Sequence, residues 1–182
     1  MGKIRFFFAA SLDGYIADPE GGVEFLDAVE DNEDDAPEGD DDGYETFFSD
    51  IGTLVMGRGT YKFLEDNETW PYPKMRTIVL THRAIERPLC DLETRVVDDF
   101  ASFARELRTL ADGDAWIVGG GNVMGEFLSV GEVDRIQMSI VPFAIGRGIP
   151  MYSGSQTIAQ AFSLAKLTRS ASGVVRLTYE RR

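Results

Sequence analysis

Short apolar runs recur along the chain, and turn residues bound each of them. Runs of this length, rich in Ile, Val, Leu and Phe, predict strands that are buried on both faces. A weaker run at 94–99 predicts a further short strand. The predicted buried strands are 3–10 (KIRFFFAA), 53–57 (TLVMG), 76–82 (RTIVLTH), 115–119 (AWIVG) and 133–142 (VDRIQMSIVP).

Amphipathic segments lie between these strands. In segment 100–113, phenylalanine and leucine recur at helical spacing, and Gly113 ends the predicted helix. Alternation of short apolar strands with helices predicts a mostly parallel sheet covered by helices on both faces. The other predicted helices are 43–52, 58–66 and 121–128.

Two further segments complete the predicted fold. Segment 11–22 (SLDGYIADPEGG) is rich in turn residues and predicts a loop. Segment 162–182 alternates on either side of Ser172 and Gly173, which predicts a closing hairpin. We therefore predict an α/β protein with three layers: a mostly parallel central sheet, helices on both faces and an antiparallel C-terminal hairpin. Residues 1–182 are predicted to form a single domain.

The charge of the chain narrows the choice of partners. With 182 residues, 43% of them hydrophobic, the chain can bury one core, and its formal net charge is −13. Such a charge disfavours nucleic acid, because phosphate binding needs a basic face. An acidic surface with few lysines suits a cytoplasm of high salt, where screening removes self-repulsion. A halophilic source and an ordinary acidic protein both stay open. The lysines are Lys3, Lys62, Lys74 and Lys166.

Much of the acid lies in segment 30–42, which repels itself and predicts a solvated loop. Its spacing does not match the alternation of a calcium loop, and we expect no metal site. The chain has no run of about 18 apolar residues, so no membrane span is expected. The N-terminal segment lacks a signal-peptide pattern, so a cytoplasmic protein is expected. Cys90 is the single cysteine, which excludes an internal disulfide.

Three predicted strands end in similar chemistry. Each of these ends offers glycine backbone, a hydroxyl or a guanidinium, and in open α/β sheets ligands sit at the carboxyl ends of the strands. Two of the ends lead directly into helices, whose unpaired N–H groups favour phosphate. The three ends are Gly57 to Thr60, Thr81 to Arg83 and Gly119 to Asn122.

Standard nucleotide motifs do not fit these ends. The glycine spacing from Gly52 resembles a Walker A loop, but Arg58-Gly59 stand where lysine and a hydroxyl are required. In the triple-glycine segment, Gly125 comes one residue too late for the dinucleotide fingerprint. A ligand with two phosphate groups, bound through a different glycine spacing, is still an alternative.

In combination, the motifs resemble a known family. VMGRGTY, TIVLTHR and WIVGGGNVMGEFL occur in the order and at the spacing of the dihydrofolate reductase superfamily. FAASLDGYIA and VDRIQMSIVPFAIGRGIPMY resemble the branch that holds the reductase domain of bacterial riboflavin synthesis. The resemblance implies an NADPH-dependent reductase that transfers hydride to a small pyrimidine- or pterin-like heterocycle. A non-catalytic NADP(H)-binding module of the same fold is the alternative.

The resemblance also implies the cofactor contacts. Arg58, Thr81 and Arg83 would favour the 2′-phosphate of NADPH, and His82 is expected at the cofactor edge or surface. The three glycines would lie against the pyrophosphate and the ribose, where side chains would hold the cofactor away. The implied contacts are Ala9, Ala10, Ile16, Gly57, Arg58, Gly59, Thr60, Leu80, Thr81, His82, Arg83, Gly119, Gly120, Gly121, Asn122, Val123 and Met124.

A proton donor is harder to assign. Hydride transfer to C=N or C=O is helped by a nearby acid. Asp13 belongs to the SLDG motif of the branch, although Asp before Gly is also a common turn pair. Glu45 lies on the predicted helix 43–52, where folate-reducing members carry a carboxylate; Asp42 and Asp50 are nearby alternatives. A substrate phosphate would have a thin basic set: Lys74, Arg76 and Arg147.

Segment 133–152 is more apolar than one sheet face can bury, because alternate residues point to opposite faces. A second copy of the chain is the usual cover for such a surface. The family resemblance also implies pairing through the late strands, so a homodimer is expected. The alternative is that the hairpin and a helix cover both faces within one chain.

Overall fold

The computed structural model describes residues 1–27, 43–72, 75–110, 113–154, 156–158 and 160–182. The predicted acidic loop at 30–42, with Asp42, and Lys74 lie outside these residues. The helices are α1 (Glu24–Asp27), α2 (Tyr44–Ser49), α3 (Arg58–Asp66), α4 (Phe100–Leu110) and α5 (Gly121–Ser129). The strands are β1 (Ile4–Ala10), β2 (Tyr15–Ala17), β3 (Ile51–Gly57), β4 (Arg76–Leu80), β5 (Glu93–Arg95), β6 (Asp114–Gly119), β7 (Arg135–Ile140), β8 (Ile149–Pro150), β9 (Phe162–Arg169) and β10 (Val175–Arg181).

Eight of these strands form one sheet in the order β5-β4-β3-β6-β1-β7-β10-β9. The pairs from β5 through β7 are parallel, whereas β10 runs antiparallel to both β7 and β9. The predicted fold class is therefore confirmed, including the C-terminal hairpin. This hairpin extends the sheet at one edge.

The strands bury both faces because their side chains alternate. Phe6 and Ile117 pack with α4 and α5 on one face, where Phe103 and Phe127 fill the core. On the other face, neighbouring strand positions pack against α2 and α3. Burying each large apolar side chain contributes about 1.5–3 kcal/mol, so both faces stabilise the sheet. The buried strand positions of the second face include Leu54, Met56, Val79 and Trp116.

Segment 11–22, predicted as a loop throughout, contains the short strand β2. It pairs antiparallel with β8 in a separate two-stranded sheet. Strands of two and three residues carry no periodic signal, because their pairing partner is more than a hundred residues away. This small sheet lies beside the carboxyl ends of the main strands and forms part of the site described next.

Candidate functional site

The central sheet divides between β1 and β6. Their parallel pairing ends at Phe6 and Ile117, while β1 continues beside β7 as far as Ala10. β6 instead follows β3, with a register shift before Gly119. A cleft therefore opens between the second half of β1 and the end of β6.

A side chain satisfies the backbone at this division. The indole Nε1 of Trp116 donates a hydrogen bond to the carbonyl oxygen of Phe7 at 3.2 Å. The Phe7 carbonyl lies one residue past the last β1–β6 pair, so the indole takes the place of a ladder partner. The division is thus held by a specific contact.

A cavity of about 1040 Å³ occupies the cleft and the carboxyl ends of the neighbouring strands. This volume is at the upper end of the roughly 300–1,000 Å³ of small-molecule sites. One wall is formed by the β2–β8 sheet and the loop after β2, and the opposite wall by the starts of α3 and α5. The lining includes Phe8, Ala9, Ile16, Ala17, Pro19, Glu20, Gly21, Val23, Gly57–Thr60, Lys62, Phe63, Asp66, Leu80, His82, Val118–Met124, Gly148–Pro150 and Ser153.

Two helices begin at this cavity. The N-cap residues are Gly57 for α3 and Gly120 for α5, and neither supplies a side-chain cap. The first N–H groups of both helices therefore lack side-chain acceptors at the cap, and the helix dipoles add positive potential. Two helix starts lining one cavity suit a ligand with two phosphate groups.

The glycines at the cavity fall into two groups, according to what a side chain at each position would meet. A Cβ at Gly121 would overlap the carbonyl oxygen of Pro150, and one at Gly125 would overlap that of Ser153, so these two glycines allow close packing. A Cβ at Gly59 would meet nothing within 4 Å, and at Gly120 only the Thr60 hydroxyl at 3.5 Å. Space for a side chain therefore exists at Gly59 and Gly120, and the cavity lies beside both.

Gly119 and Gly120 differ in backbone conformation. Gly120 has φ −88°, an ordinary value, whereas Gly119 has φ +151°. The peptide between these two residues is cis. The positive φ, which favours glycine, is that of Gly119 at the end of β6.

The cations of the cavity are paired with acids of their own helix. Arg58 Nη2 lies 2.6 Å from Glu65, while its Nη1 has no hydrogen-bond partner among the described residues. Lys62 Nζ lies 2.6 Å from Asp66. A ligand phosphate would compete with these carboxylates. His82 also lines the cavity and is exposed.

Some predicted cofactor residues lie away from the cavity lining. Ala10 is fully buried in the core. The Thr81 hydroxyl accepts a hydrogen bond from the amide of Arg83 at 3.0 Å, which closes a turn after β4. Neither Thr81 nor Arg83 lines the cavity. The other predicted contacts, including Ala9, Ile16 and Leu80, surround it together.

The two predicted proton donors, Asp13 and Glu45, lie in different places. Asp13 accepts hydrogen bonds from Ser11 and from the backbone of the loop before β8, and its pKa is lowered mainly by the Ser11 bond. Glu45 is exposed on α2, and neither acid lines the cavity. Their catalytic roles therefore stay predictions.

Asp50 is excluded as a substrate carboxylate. It lies just before β3, at the amino edge of the sheet and opposite the cavity. Its Oδ2 accepts from the buried Arg5 guanidinium at 2.8 Å, and Arg5 also contacts Asp114 at 3.1 Å and Gln137 at 2.9 Å. Asp50 thus neutralises a buried cation.

The predicted basic set for a substrate phosphate is also dispersed. Arg76 begins β4 and lies 3.4 Å from Glu93. Arg147 is exposed in the loop before β8. With Lys74 outside the described residues, the structure does not bring these side chains together.

Of the wall formed by β2, β8 and the loop after β2, only Ile16 was predicted from the sequence. Ser153 closes this wall against α5: its amide donates to the Gly121 carbonyl at 3.0 Å and its hydroxyl to Asn122 at 2.5 Å. The turn-rich DPEGG stretch was the available signal, since Gly21 has φ +92° there. Its position over the cavity depends on pairing with β8.

The described residues lack two kinds of feature. They contain no group of three His, Cys, Asp or Glu side chains arranged to hold a metal ion. No helix in the described part of the chain combines the length and apolarity that crossing a membrane requires.

The chain belongs to the RibD C-terminal domain family, whose model matches residues 2–176. A solved structure from Shewanella sp. PV-4, with the provisional name riboflavin biosynthesis protein, is similar to it over 100% of this chain and 99% of that one. Its TM-score is 0.81 and its identity 25%. These findings confirm the resemblance to the riboflavin branch and support a reductase-type role.

Two more distant structures share the fold. The deaminase and 5-amino-6-(5-phosphoribosylamino)uracil reductase of Thermotoga maritima has a TM-score of 0.66 at 16% identity, and the similarity covers 100% of this chain and 57% of that one. Dihydrofolate reductase from Enterococcus faecalis, complexed with NADP(H), has a TM-score of 0.59 at 17% identity, with 100% and 97% covered. The dihydrofolate reductase-like fold is therefore shown.

Proposed function

We propose that the chain is an NADPH-dependent reductase that transfers hydride to a small heterocycle of the pyrimidine or pterin type. One observation carries the proposal: a single cavity joins the cleft in the sheet to the starts of α3 and α5. An elongated ligand with a flat ring at one end and phosphates at the other fits this arrangement. The family and the NADP(H) complex of the Enterococcus reductase support the choice of ligand.

The chain's own residues suit such a cofactor. The starts of α3 and α5 would bind the pyrophosphate, and Gly59 and Gly120 leave open space beside it. The nicotinamide would lie in the cleft against Phe8, Ala9 and Val118, which line it. Apolar walls exclude water from the reacting face. When bound, NADPH supplies the hydride.

The cations of α3 would recognise the 2′-phosphate. Arg58 Nη1 has no hydrogen-bond partner among the described residues, and Lys62 is held by Asp66 in an exposed pair that contributes little stability. A phosphate carries more charge than one carboxylate, so Lys62 should leave Asp66 and pair with the phosphate of the ligand. NADPH should therefore bind more tightly than NADH.

A non-catalytic NADP(H)-binding module is the second candidate. It is favoured by one observation: neither Asp13 nor Glu45, the predicted acids, lines the cavity. Reduction of C=N or C=O needs a proton as well as a hydride. The second candidate therefore predicts cofactor binding without turnover.

The experiment that separates the two follows NADPH oxidation by its absorbance, with pterins, pyrimidines and quinones as candidate substrates, in low and in molar salt. A rate that depends on one class of substrate supports the reductase. Tight NADPH binding with no oxidation by any substrate supports the binding module. No NADPH binding contradicts both.

We also propose a homodimer. β9 is an edge strand of the main sheet, and it exposes Leu164 and Leu167, which are 51% and 58% accessible. These leucines lie opposite Tyr179 and Leu177 of β10, and so share one face of the sheet. Exposed apolar residues on an edge strand favour pairing with a second chain.

A further inference from the structure

Two distant loops meet beside the cavity, and Asp13 joins them. Its Oδ1 accepts hydrogen bonds from the Ser11 hydroxyl at 2.7 Å and the Ile145 amide at 3.2 Å. Its Oδ2 accepts one from the Gly146 amide at 2.7 Å. Ser11 and Asp13 follow β1, whereas Ile145 and Gly146 lie 132 and 133 positions further along the chain.

Each of these loops leads directly into a strand of the cavity wall. β2 begins at Tyr15, just after Asp13, and β8 begins at Ile149, just after Gly146. The two strands pair antiparallel, and the wall they form includes Ile16 and Ile149. Whatever fixes the two loops therefore also fixes this wall.

Backbone contacts close the same junction on both sides of Asp13. The Leu12 amide donates to the Phe143 carbonyl at 2.8 Å, and the Met151 amide donates to the Gly14 carbonyl at 3.0 Å. Packing at Gly148 leaves no room for a side chain, because a Cβ there would overlap the Ala17 carbonyl oxygen. The Asp13 carboxylate adds side-chain hydrogen bonds to these backbone contacts.

The chemistry of the carboxylate fits a role as acceptor. Its hydrogen-bond donors lower its pKa, with Ser11 the largest cause, so it is ionised at neutral pH. An ionised carboxylate that accepts from two backbone amides has no proton to give. It also lies outside the cavity lining.

We propose that Asp13 is a positioning residue that fixes the β2–β8 wall of the cavity through the amides of Ile145 and Gly146. It acts on cofactor affinity through this wall and does not donate a proton to the substrate. The effect on affinity rests on the proposed function, whereas the effect on the loop does not.

The test compares Asp13→Asn and Asp13→Glu with a control, Asp99→Asn. Asp99, just before α4, is a good match, since it is also exposed and also accepts from a backbone amide and a hydroxyl, both of Ser102. Amide hydrogen exchange of Ile145 and Gly146 is measured by NMR, and NADPH affinity by calorimetry. Steady-state kinetics are added with whichever substrate supports turnover.

For Asp13→Asn we expect exchange at Ile145 and Gly146 to rise about tenfold or more, because an amide nitrogen replaces one acceptor. NADPH affinity and the KM for NADPH should weaken about tenfold, with kcat at saturation within about threefold of wild type. Asp13→Glu keeps both acceptors and should restore part of the protection. Asp99→Asn should change none of these quantities.

Unchanged exchange at Ile145 and Gly146 in Asp13→Asn would overturn the proposal. So would a fall in kcat of about a hundredfold or more with unchanged NADPH affinity, which is the behaviour of a general acid. If the wild-type protein does not bind NADPH, the proposed function fails, and the exchange measurement still decides whether Asp13 anchors the loop.

Discussion

The indole nitrogen of Trp116 lies 3.2 Å from the carbonyl oxygen of Phe7, where β1 and β6 stop pairing. This contact gives the Phe7 carbonyl a hydrogen-bond donor where the sheet divides, and the cavity begins at the next residue of β1, Phe8. A specific hydrogen bond therefore stabilises the cleft in the sheet.

Trp116→Phe should lower the free energy of unfolding by about 1–2 kcal/mol, because it removes one hydrogen bond and part of a buried ring. It should also weaken NADPH binding, because the cleft loses the hydrogen bond between Trp116 and Phe7 that stabilises it. Urea unfolding and calorimetry measure the two effects. Trp70→Phe is the control: it trims a ring that packs against the same apolar cluster as Trp116 and leaves the Phe7 carbonyl satisfied. Equal effects of both substitutions on binding would contradict the account.

Gly59→Ala should separate stability from binding. A Cβ at this helical position meets nothing within 4 Å, so the substitution should stabilise the free protein by about 0.4–1 kcal/mol. If phosphate approaches the start of α3, the same methyl group should weaken NADPH binding several-fold. Thermal unfolding with and without NADPH measures both effects. Increased stability with undiminished binding would place the phosphates elsewhere.

Gly120→Val and Gly121→Ala should fail in different ways. A Cβ added at Gly120 would meet only the Thr60 hydroxyl, at 3.5 Å, so Gly120→Val should fold and lose NADPH binding. Gly121→Ala would force a Cβ into the Pro150 carbonyl, so its Tm should fall. Circular dichroism and calorimetry distinguish the two outcomes. Normal NADPH binding by folded Gly120→Val would mean that the triple glycine serves packing alone.

The sequence predicted most of the main sheet, because its strands are continuous apolar runs, and such runs are buried whichever strands they pair with. β2 and β8 were missed, since five residues in two distant segments pair only after the chain has folded. The hairpin was predicted correctly as a hairpin.

The cavity shows a similar limit. Glycine-rich strand ends indicated a phosphate site, and the structure brings Gly57, Gly59 and Gly120 to one cavity. The partners of charged residues could not be read from the sequence. Asp50 was an alternative to Glu45 as the substrate carboxylate, yet it pairs with the buried Arg5 at the opposite edge of the sheet. Such pairings depend on which strands become neighbours.

The proposed dimer predicts a particle of twice the 20.2 kDa chain mass in light scattering at micromolar concentration. Leu167→Asp should convert it to a monomer, because a charge on the exposed edge disfavours strand pairing. Running both proteins in low and in molar salt separates the interface from self-repulsion by the net charge of −13. A single-chain mass for the wild type in both conditions would contradict the dimer.

Calorimetric titration of the purified protein with NADPH and with NADH tests the central claim most directly. The account predicts saturable binding of one NADPH per chain, about 10–100-fold tighter than NADH, as expected for one charge-assisted contact of about 1.5–3 kcal/mol to the 2′-phosphate. Gly120→Val, folded but with the cavity blocked, should show neither binding event. Absence of NADPH binding by the folded wild-type protein, or equal affinity for the two dinucleotides, would contradict the account.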